Sequence, residues 1–123
     1  MMGPTRSDKA QVKWLRELLN PAIFSTQLLE KAFTPQSLVP ANLAYPDYST
    51  FPELGVESYG WAQFITTYRG HHITWHHGEL VGQHSILLRA PHNGVGLFVM
   101  TNDDAFGQII AKIITFGILD ELL

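Results

Sequence analysis

Residues 59–102, YGWAQFITTYRGHHITWHHGELVGQHSILLRAPHNGVGLFVMTN, decide the fold of this chain. Apolar and polar residues alternate through most of the stretch, which is the period of half-buried β-strands. Turn residues interrupt the alternation at Arg69-Gly70, at Gly82 and at His92-Asn93-Gly94. Short connections between such runs are typical of antiparallel strands that follow one another in a sheet. The stretch therefore predicts an antiparallel sheet of three to four strands.

Helical patterns flank the predicted sheet. Leucines recur at helical spacing after Ser7 and stop at Asn20-Pro21, and a second, shorter helix is predicted to end at Phe33. Four prolines between residues 35 and 52 predict a loop over residues 34–58. The carboxylates of Asp103 and Asp104 precede a broad apolar face, which predicts a final helix over residues 103–123.

These segments combine into an α+β fold of one domain, residues 1–123: helical from 7 to 33, loop from 34 to 58, sheet from 59 to 102, and a C-terminal helix from 103 to 123. We expect the helices to cover one face of the sheet. A chain of this length is long enough to bury one hydrophobic core.

Composition excludes several classes of function. Eight Lys and Arg against eleven Asp and Glu leave no basic surface for nucleic acid or for an anionic membrane. The absence of cysteine excludes disulfides and thiol catalysis. We expect no signal peptide and no transmembrane segment, so localisation stays open, with the cytoplasm as the default.

The four histidines in HHITWHHG raise the question of a metal site. His72 and His76 have the spacing that places two ligands on one face of a helix. However, Ile73, Thr74 and Trp75 favour a strand, in which positions four apart lie about 13 Å apart, too far to share one ion. We therefore expect no metal in the strand, and metal binding in another arrangement is kept as a weaker alternative.

Strand alternation divides the same residues between two faces. Ile73, Trp75 and His77 belong to one face, and His72, Thr74 and His76 belong to the other. The first face is the more apolar. By itself, this pattern indicates a half-buried strand whose polar side faces solvent or a cleft.

An ordered set of short motifs resembles a known family. Tyr59-Gly60-Trp61 opens one strand, His76-His77-Gly78 ends another, Gly82 follows four residues later, and Thr101-Asn102 ends the last strand. This order resembles the C-terminal part of the serine β-lactamase and penicillin-binding-protein family, in its class C-like, esterase-like branch. WLRELLN and FTPQSLVP are similar to the segment that joins the family's helical region to its sheet. The likeness begins near Val12 and implies a partial β-lactamase/transpeptidase-like fold.

The resemblance implies roles for residues in and after the His-x-Gly motif. In the family, a Ser in Ser-x-x-Lys attacks a carbonyl, a Tyr-x-Asn motif helps to move the proton, and the third motif lines the opposite wall. His76 would support proton transfer and the substrate, and Gly78 would allow the substrate to approach the backbone. The Glu79 N–H would be an oxyanion-hole donor. His77 and Gly82 would line the substrate site, and no cofactor is implied.

Two residues depart from the family's pattern. His77 replaces a residue that is usually small or hydroxylic. Glu79 brings a carboxylate close to a site that must stabilise negative charge, which is unfavourable unless the side chain points away.

Two catalytic motifs of the family are absent from the sequence. It contains no Ser-x-x-Lys, no Tyr-x-Asn and no Gly-x-Ser-x-Gly. The chain therefore resembles the last third of a family member. We expect it to be inactive alone, and to act on a small-molecule amide or ester only when the missing N-terminal part is supplied.

The missing part also bears on partners. Without it, the sheet should expose an unpaired edge and part of an apolar face, which a complementing chain or self-association would cover. A second hypothesis is a small non-catalytic binding or interaction module that keeps the sheet of this fold.

Overall fold

The computed structural model describes residues 8–39 and 53–123 as an α+β fold. Six antiparallel strands form one sheet, in which each strand pairs with its neighbours in sequence. The elements are α1 (Asp8–Leu19), α2 (Thr26–Ala32), β1 (Ser37–Leu38), β2 (Ser58–Tyr59), β3 (Phe64–Tyr68), β4 (His71–Leu80), β5 (Gln83–Ala90), a short 3₁₀ turn (Pro91–Asn93), β6 (Val95–Thr101) and α3 (Gly107–Leu122). The predicted fold class is confirmed, but the sheet has six strands instead of three to four.

The additional strands, β1 and β2, have two residues each. Ser37 pairs with Tyr59, and Leu38 pairs with Ser58. The predicted loop over residues 34–58 is therefore wrong at Ser37, Leu38 and Ser58. A strand of two residues carries no alternating pattern, so only its pairing with a neighbour defines it. The prolines at positions 40, 46 and 52 lie outside the described residues, as do residues 1–7.

The last helix, α3, begins at Gly107 instead of at residue 103. The Asp103 carboxylate accepts a hydrogen bond from the Phe106 N–H at 2.6 Å, and the Asp104 carboxylate accepts one from the Gly82 N–H. The two aspartates therefore stabilise the turn before the helix and connect it to the β4–β5 hairpin. This use of both carboxylates explains why the helix starts later than the sequence predicted.

One face of the sheet packs against α3 and forms the hydrophobic core. Trp75 on β4 lies opposite Leu88 on β5, which lies opposite Leu97 on β6. Trp75 and Leu88 are fully buried. Apolar side chains thus form a continuous row across three strands, as alternation on a half-buried sheet requires. From α3, the core receives Ala111, Phe116 and Leu119.

The opposite face of the sheet packs against α1. A Cβ at Gly96 would lie 3.0 Å from Leu19 Cδ1 and 3.3 Å from Leu15 Cδ2, so glycine allows the close approach of helix and strand. Gly96 pairs with Arg89, which donates a hydrogen bond to the Leu18 carbonyl at 2.8 Å. The helices therefore lie on both faces, and the expectation that they cover one face is wrong. Arg89 and Thr74 are buried on this α1 face, so side chains are buried on both faces of the sheet.

The side of α3 that points away from the sheet is apolar. Ile110, Ile113 and Ile114 are 40%, 57% and 43% exposed. Exposed apolar side chains that adjoin one another on a helix normally pack against other polypeptide, and the exposure of these isoleucines shows that the described residues leave them largely uncovered. β6 is an edge strand with β5 as its single described neighbour. We call these isoleucines together with the free side of β6 the uncovered surface.

A buried polar pair connects the segment before β2 to the centre of the sheet. Glu57 and Trp75 are both 0% exposed, and the Trp75 Nε1–H donates to Glu57 Oε2 at 3.0 Å. The Phe64 ring stacks on Trp75 at 5.1 Å between centroids. Burial of a carboxylate is costly unless hydrogen bonds compensate it, so this bond helps to hold the sheet's N-terminal edge against β4.

Among the residues that the structure describes, no helix is long and apolar enough to cross a membrane.

The buried pair predicts a difference between two substitutions. Glu57→Ala removes the carboxylate that accepts the hydrogen bond from the buried Trp75 indole N–H. The loss of this bond should lower the unfolding free energy by about 1–3 kcal/mol. Glu57→Gln keeps a carbonyl oxygen at nearly the same place and should cost less. Urea unfolding of both variants measures the difference, and wild-type stability in the alanine variant would contradict it.

Candidate functional site

The predicted site residues lie on the part of β4 that extends beyond β3. Phe64 opposite Trp75 is the last residue pair between β3 and β4. From His76 to Leu80, β4 continues beside β5 alone among the described strands. We call His76–Leu80 the open edge of β4. His76, Gly78 and Glu79 lie together along this edge.

The pairing register determines which backbone groups point to the open edge. Tyr68 and His71 close the two-residue turn between β3 and β4, so Trp75, four residues after His71, also directs its N–H and C=O to β3. Hydrogen-bonding direction alternates along an antiparallel strand. Glu79, four residues after Trp75, therefore directs its N–H to the same side, where β3 has ended. The Gly78 N–H points the other way, to Ser85 on β5.

The two imidazoles of the motif are neighbours. The His76 and His77 ring centroids lie 5.5 Å apart, and the rings are 9° from parallel. The Phe64 ring lies 6.0 Å from His76 and 6.3 Å from His77, and the Tyr59 ring lies 6.5 Å from His76. The predicted division of β4 between two faces is confirmed, since Ile73 and Trp75 lie in the core beside α3 and Thr74 bonds to Arg89 on the α1 face, but the His76 and His77 rings still approach each other at the strand edge. The open edge thus carries two stacked imidazoles beside aromatic rings.

Burial controls the protonation of one of these imidazoles. Desolvation lowers the pKa of His77, and electrostatic interactions with His76 and Lys112 lower it further. Lys112 belongs to α3, so His77 faces that helix. Because its pKa lies below the ordinary value of 6.5, His77 is neutral at pH 7. A neutral imidazole can donate or accept a hydrogen bond at this edge.

The two glycines serve different local requirements. A Cβ at Gly78 would lie 2.7 Å from the Ser85 Oγ across the strand pair, so this position has little room for a side chain on that side. Gly82 has φ +78° in the β4–β5 turn, a conformation that favours glycine. Its N–H donates to the Asp104 carboxylate. Gly82 thus holds the hairpin turn, and its predicted contact with substrate stays a prediction.

The Glu79 side chain is exposed at the surface. Its carboxylate raises the pKa of His77 slightly against the stronger effects that lower it. The unfavourable carboxylate that the sequence placed at an anion site is therefore free to turn to solvent, while the Glu79 N–H stays fixed by the strand.

The buried side chain of Arg89 was not predicted from the sequence. Arg89 lies in the middle of the apolar strand β5, is buried, and bonds to Thr74 Oγ1 on β4 at 2.8 Å. The signal was present, because a charged residue inside the run SILLRAP is unusual for a buried strand. Within the described ranges, no three His, Cys, Asp or Glu side chains lie close enough together to hold a metal ion.

Comparison of the chain with protein-family models, with curated proteins and with solved structures finds no significant match.

The register at the open edge predicts that proline destabilises the fold to different extents at two adjacent positions. Glu79→Pro removes an N–H that points away from β5, so it should cost less than about 1 kcal/mol of unfolding free energy. Gly78→Pro removes a ladder hydrogen bond to β5 and should cost about 1–3 kcal/mol. Thermal and urea unfolding of the two variants compare them directly. A larger loss for Glu79→Pro than for Gly78→Pro would show that the register is different.

The lowered histidine pKa values predict that acid destabilises the fold. Burial lowers the pKa of His77 and of His72 below 6.5, so the unfolded chain binds these two protons more strongly than the native chain does. The two histidines contribute to the unfolding free energy. This contribution is fully present above pH 6.5 and is lost as the pH falls through their pKa values in the native chain. The unfolding free energy should therefore decrease from pH 7 to pH 5.

Urea unfolding at several pH values measures this decrease. In the double variant His72→Gln, His77→Gln, the dependence on pH should be weaker because neither titrating group remains. An unchanged dependence would show that other groups cause it.

Proposed function

We propose that this chain is the C-terminal segment of a β-lactamase-related serine hydrolase. The complete enzyme cleaves an amide or ester bond through an acyl-enzyme. The observation that carries the proposal is the Glu79 N–H, which the β4 register directs to an edge that no described strand covers. An oxyanion-hole donor must be an N–H that the fold holds in place and that points to the position of the substrate's oxygen. The Glu79 N–H is held by β4 and points to a side that no described strand covers.

The residues around Glu79 provide the remaining functions of one wall. His76 supplies a hydrogen-bonding imidazole next to the site where charge develops, and its ring is positioned by Phe64 and Tyr59. Gly78 leaves the backbone without a side chain directly before the donor. This wall binds and polarises a carbonyl group but supplies no activated nucleophile. The nucleophilic Ser and its proton-transfer partner belong to the segment that completes the fold.

The uncovered surface supports the same proposal. Ile110, Ile113 and Ile114 on α3 are exposed, and β6 has β5 as its single described neighbour. Exposed apolar surface and an unpaired strand edge are each a template for further polypeptide. In the proposed enzyme, the segment that brings the nucleophile also covers this surface.

A second candidate function is a non-catalytic binding module. The observation that favours it is the closed core between the sheet and α3, in which Trp75, Leu88 and Leu119 are fully buried without further chain. Size-exclusion chromatography and a thermal melt separate the two candidates. A stable monomer with a cooperative melt favours the module, and aggregation through the uncovered surface favours the hydrolase segment.

Two expectations test the hydrolase directly. The coding sequence upstream of Met1 should contain Ser-x-x-Lys and Tyr-x-Asn, and the purified chain alone should not hydrolyse a chromogenic β-lactam or a p-nitrophenyl ester with saturation. Co-expression with the upstream segment should produce turnover. Absence of both motifs upstream would contradict the proposal, and so would saturable turnover by the chain alone.

The oxyanion role predicts how two variants of the reconstituted enzyme behave. Glu79→Pro deletes the N–H donor without removing a ladder bond and should lower kcat by about 10²–10³-fold. Glu79→Gln retains the N–H and removes the carboxylate, so it should keep kcat within a few-fold of wild type. Equal activity of the two variants would exclude the Glu79 N–H as a donor.

A further inference from the structure

A cavity of about 350 Å³ lies on the α1 face of the sheet, between α1, α2 and the strands. Its volume is in the range of small-molecule sites. His72 on β4 contributes to its lining, and seven residues at about 3.3 Å each place His72 roughly 23 Å along the strand from Glu79. The cavity is therefore separate from the open edge of β4.

The buried residue Arg89 contributes to the lining of this cavity. Arg89 is 6% exposed, its Nε donates to Thr74 Oγ1 at 2.8 Å, and its Nη1 donates to the Leu18 carbonyl at 2.8 Å. The Phe33 ring lies 3.4 Å from the guanidinium carbon. These two bonds use two of the five N–H donors, and neither acceptor is a carboxylate.

Arg89 keeps its charge in this environment. Desolvation lowers its pKa to about 10, so the group is cationic at neutral pH. The ion pairs between described residues are those of Arg69 with Glu53 and with Asp120. Burial of a cation without an opposite charge is costly, and an anion in the cavity would reduce this cost.

The remaining lining residues select the kind of anion. The His72 and His92 rings stack at 5.2 Å and add two imidazoles. Desolvation lowers the pKa of His72, and the charges at His92 and Arg89 act in the same direction. Among the described lining residues, Glu30 carries the one carboxylate, and its side chain is exposed. The apolar walls are formed by Leu18, Leu29, Phe33 and Pro91.

We propose that this cavity binds a small organic carboxylate, with the carboxylate group on Arg89 and an apolar body between Leu29, Phe33 and Pro91. A planar guanidinium matches a carboxylate through two parallel hydrogen bonds. Apolar walls favour a ligand with a hydrophobic body over a fully hydrated inorganic anion. The site uses no nucleophile and is independent of the proposed hydrolase.

Benzoate tests the proposal, with benzamide as the neutral molecule of the same shape. Titration of the isotopically labelled chain, followed by NMR, should show saturable shifts of the Arg89 Nε–H and of the His72 and His92 ring signals, with a Kd of about 1 mM. Benzamide should bind at least about tenfold more weakly, because a charged hydrogen bond is lost. Inorganic phosphate should bind more weakly than benzoate.

Several results would overturn the proposal. They are the absence of saturable shifts at these residues, equal binding of benzoate and benzamide, and tighter binding of phosphate than of benzoate. Each measurement uses the same chain and does not depend on hydrolase activity, so failure here is distinct from failure of the proposed function.

Three variants locate the site. Arg89→Lys keeps a charge without the planar fork and should weaken benzoate binding at least about tenfold. His92→Ala, at an exposed position of the 3₁₀ turn, should weaken it about threefold. His71→Ala is the matched control, because this imidazole does not line the cavity, and its Kd should equal that of wild type.

The variants also define a contrary result. Wild-type affinity in both Arg89→Lys and His92→Ala would overturn the assignment, and so would weakened binding in His71→Ala to the same extent. Where Arg89→Lys fails to fold, the pair His92→Ala and His71→Ala decides.

Discussion

β4 is ten residues long and β3 is five, and this difference in length organises the functional half of the molecule. From His71 to Trp75, β4 pairs with β3, and at Thr74 and Trp75 it also pairs with β5, so its position is fixed by two strands and by the core. Beyond Trp75, the same strand continues with β5 as its single partner among the described strands. Backbone groups that would bond to a neighbouring strand then become available to a ligand, while the strand's position is still determined by the paired part.

The two faces of the sheet give β4 and β5 different environments. On the α3 face, Trp75 and Leu88 are packed in an apolar core, and Glu57 satisfies the Trp75 indole. On the α1 face, Thr74 and Arg89 are also buried, and Arg89 donates hydrogen bonds to Thr74 and to the Leu18 carbonyl near the end of α1. A single strand therefore contributes to a core on one side and to a polar cavity on the other. The proposed oxyanion donor and the proposed carboxylate site depend on the same strand at its two ends.

Much of the sheet was predictable because β3, β4, β5 and β6 are long enough to show a period of two and are separated by turn residues. His76, Gly78 and Glu79 fall on one strand for the same reason. β1 and β2 were missed because two residues have no period, and the start of α3 was misplaced because Asp103 and Asp104 bond outside the helix. The contact between His76 and His77 was not predicted either, since alternation describes the Cβ direction and not the path of a side chain at a strand edge.

The sequence by itself determined the α+β class, the antiparallel order of the long strands and the residues that form the motif on β4. These features follow from local periods and turn chemistry, which act between residues close in the chain. Only the tertiary structure decided that β3 ends opposite Trp75, that α1 and α3 cover opposite faces, and that Arg89 is buried beneath α1. Each of these depends on contacts between distant segments, and the register that leaves Glu79 without a neighbouring described strand is set by where another strand stops.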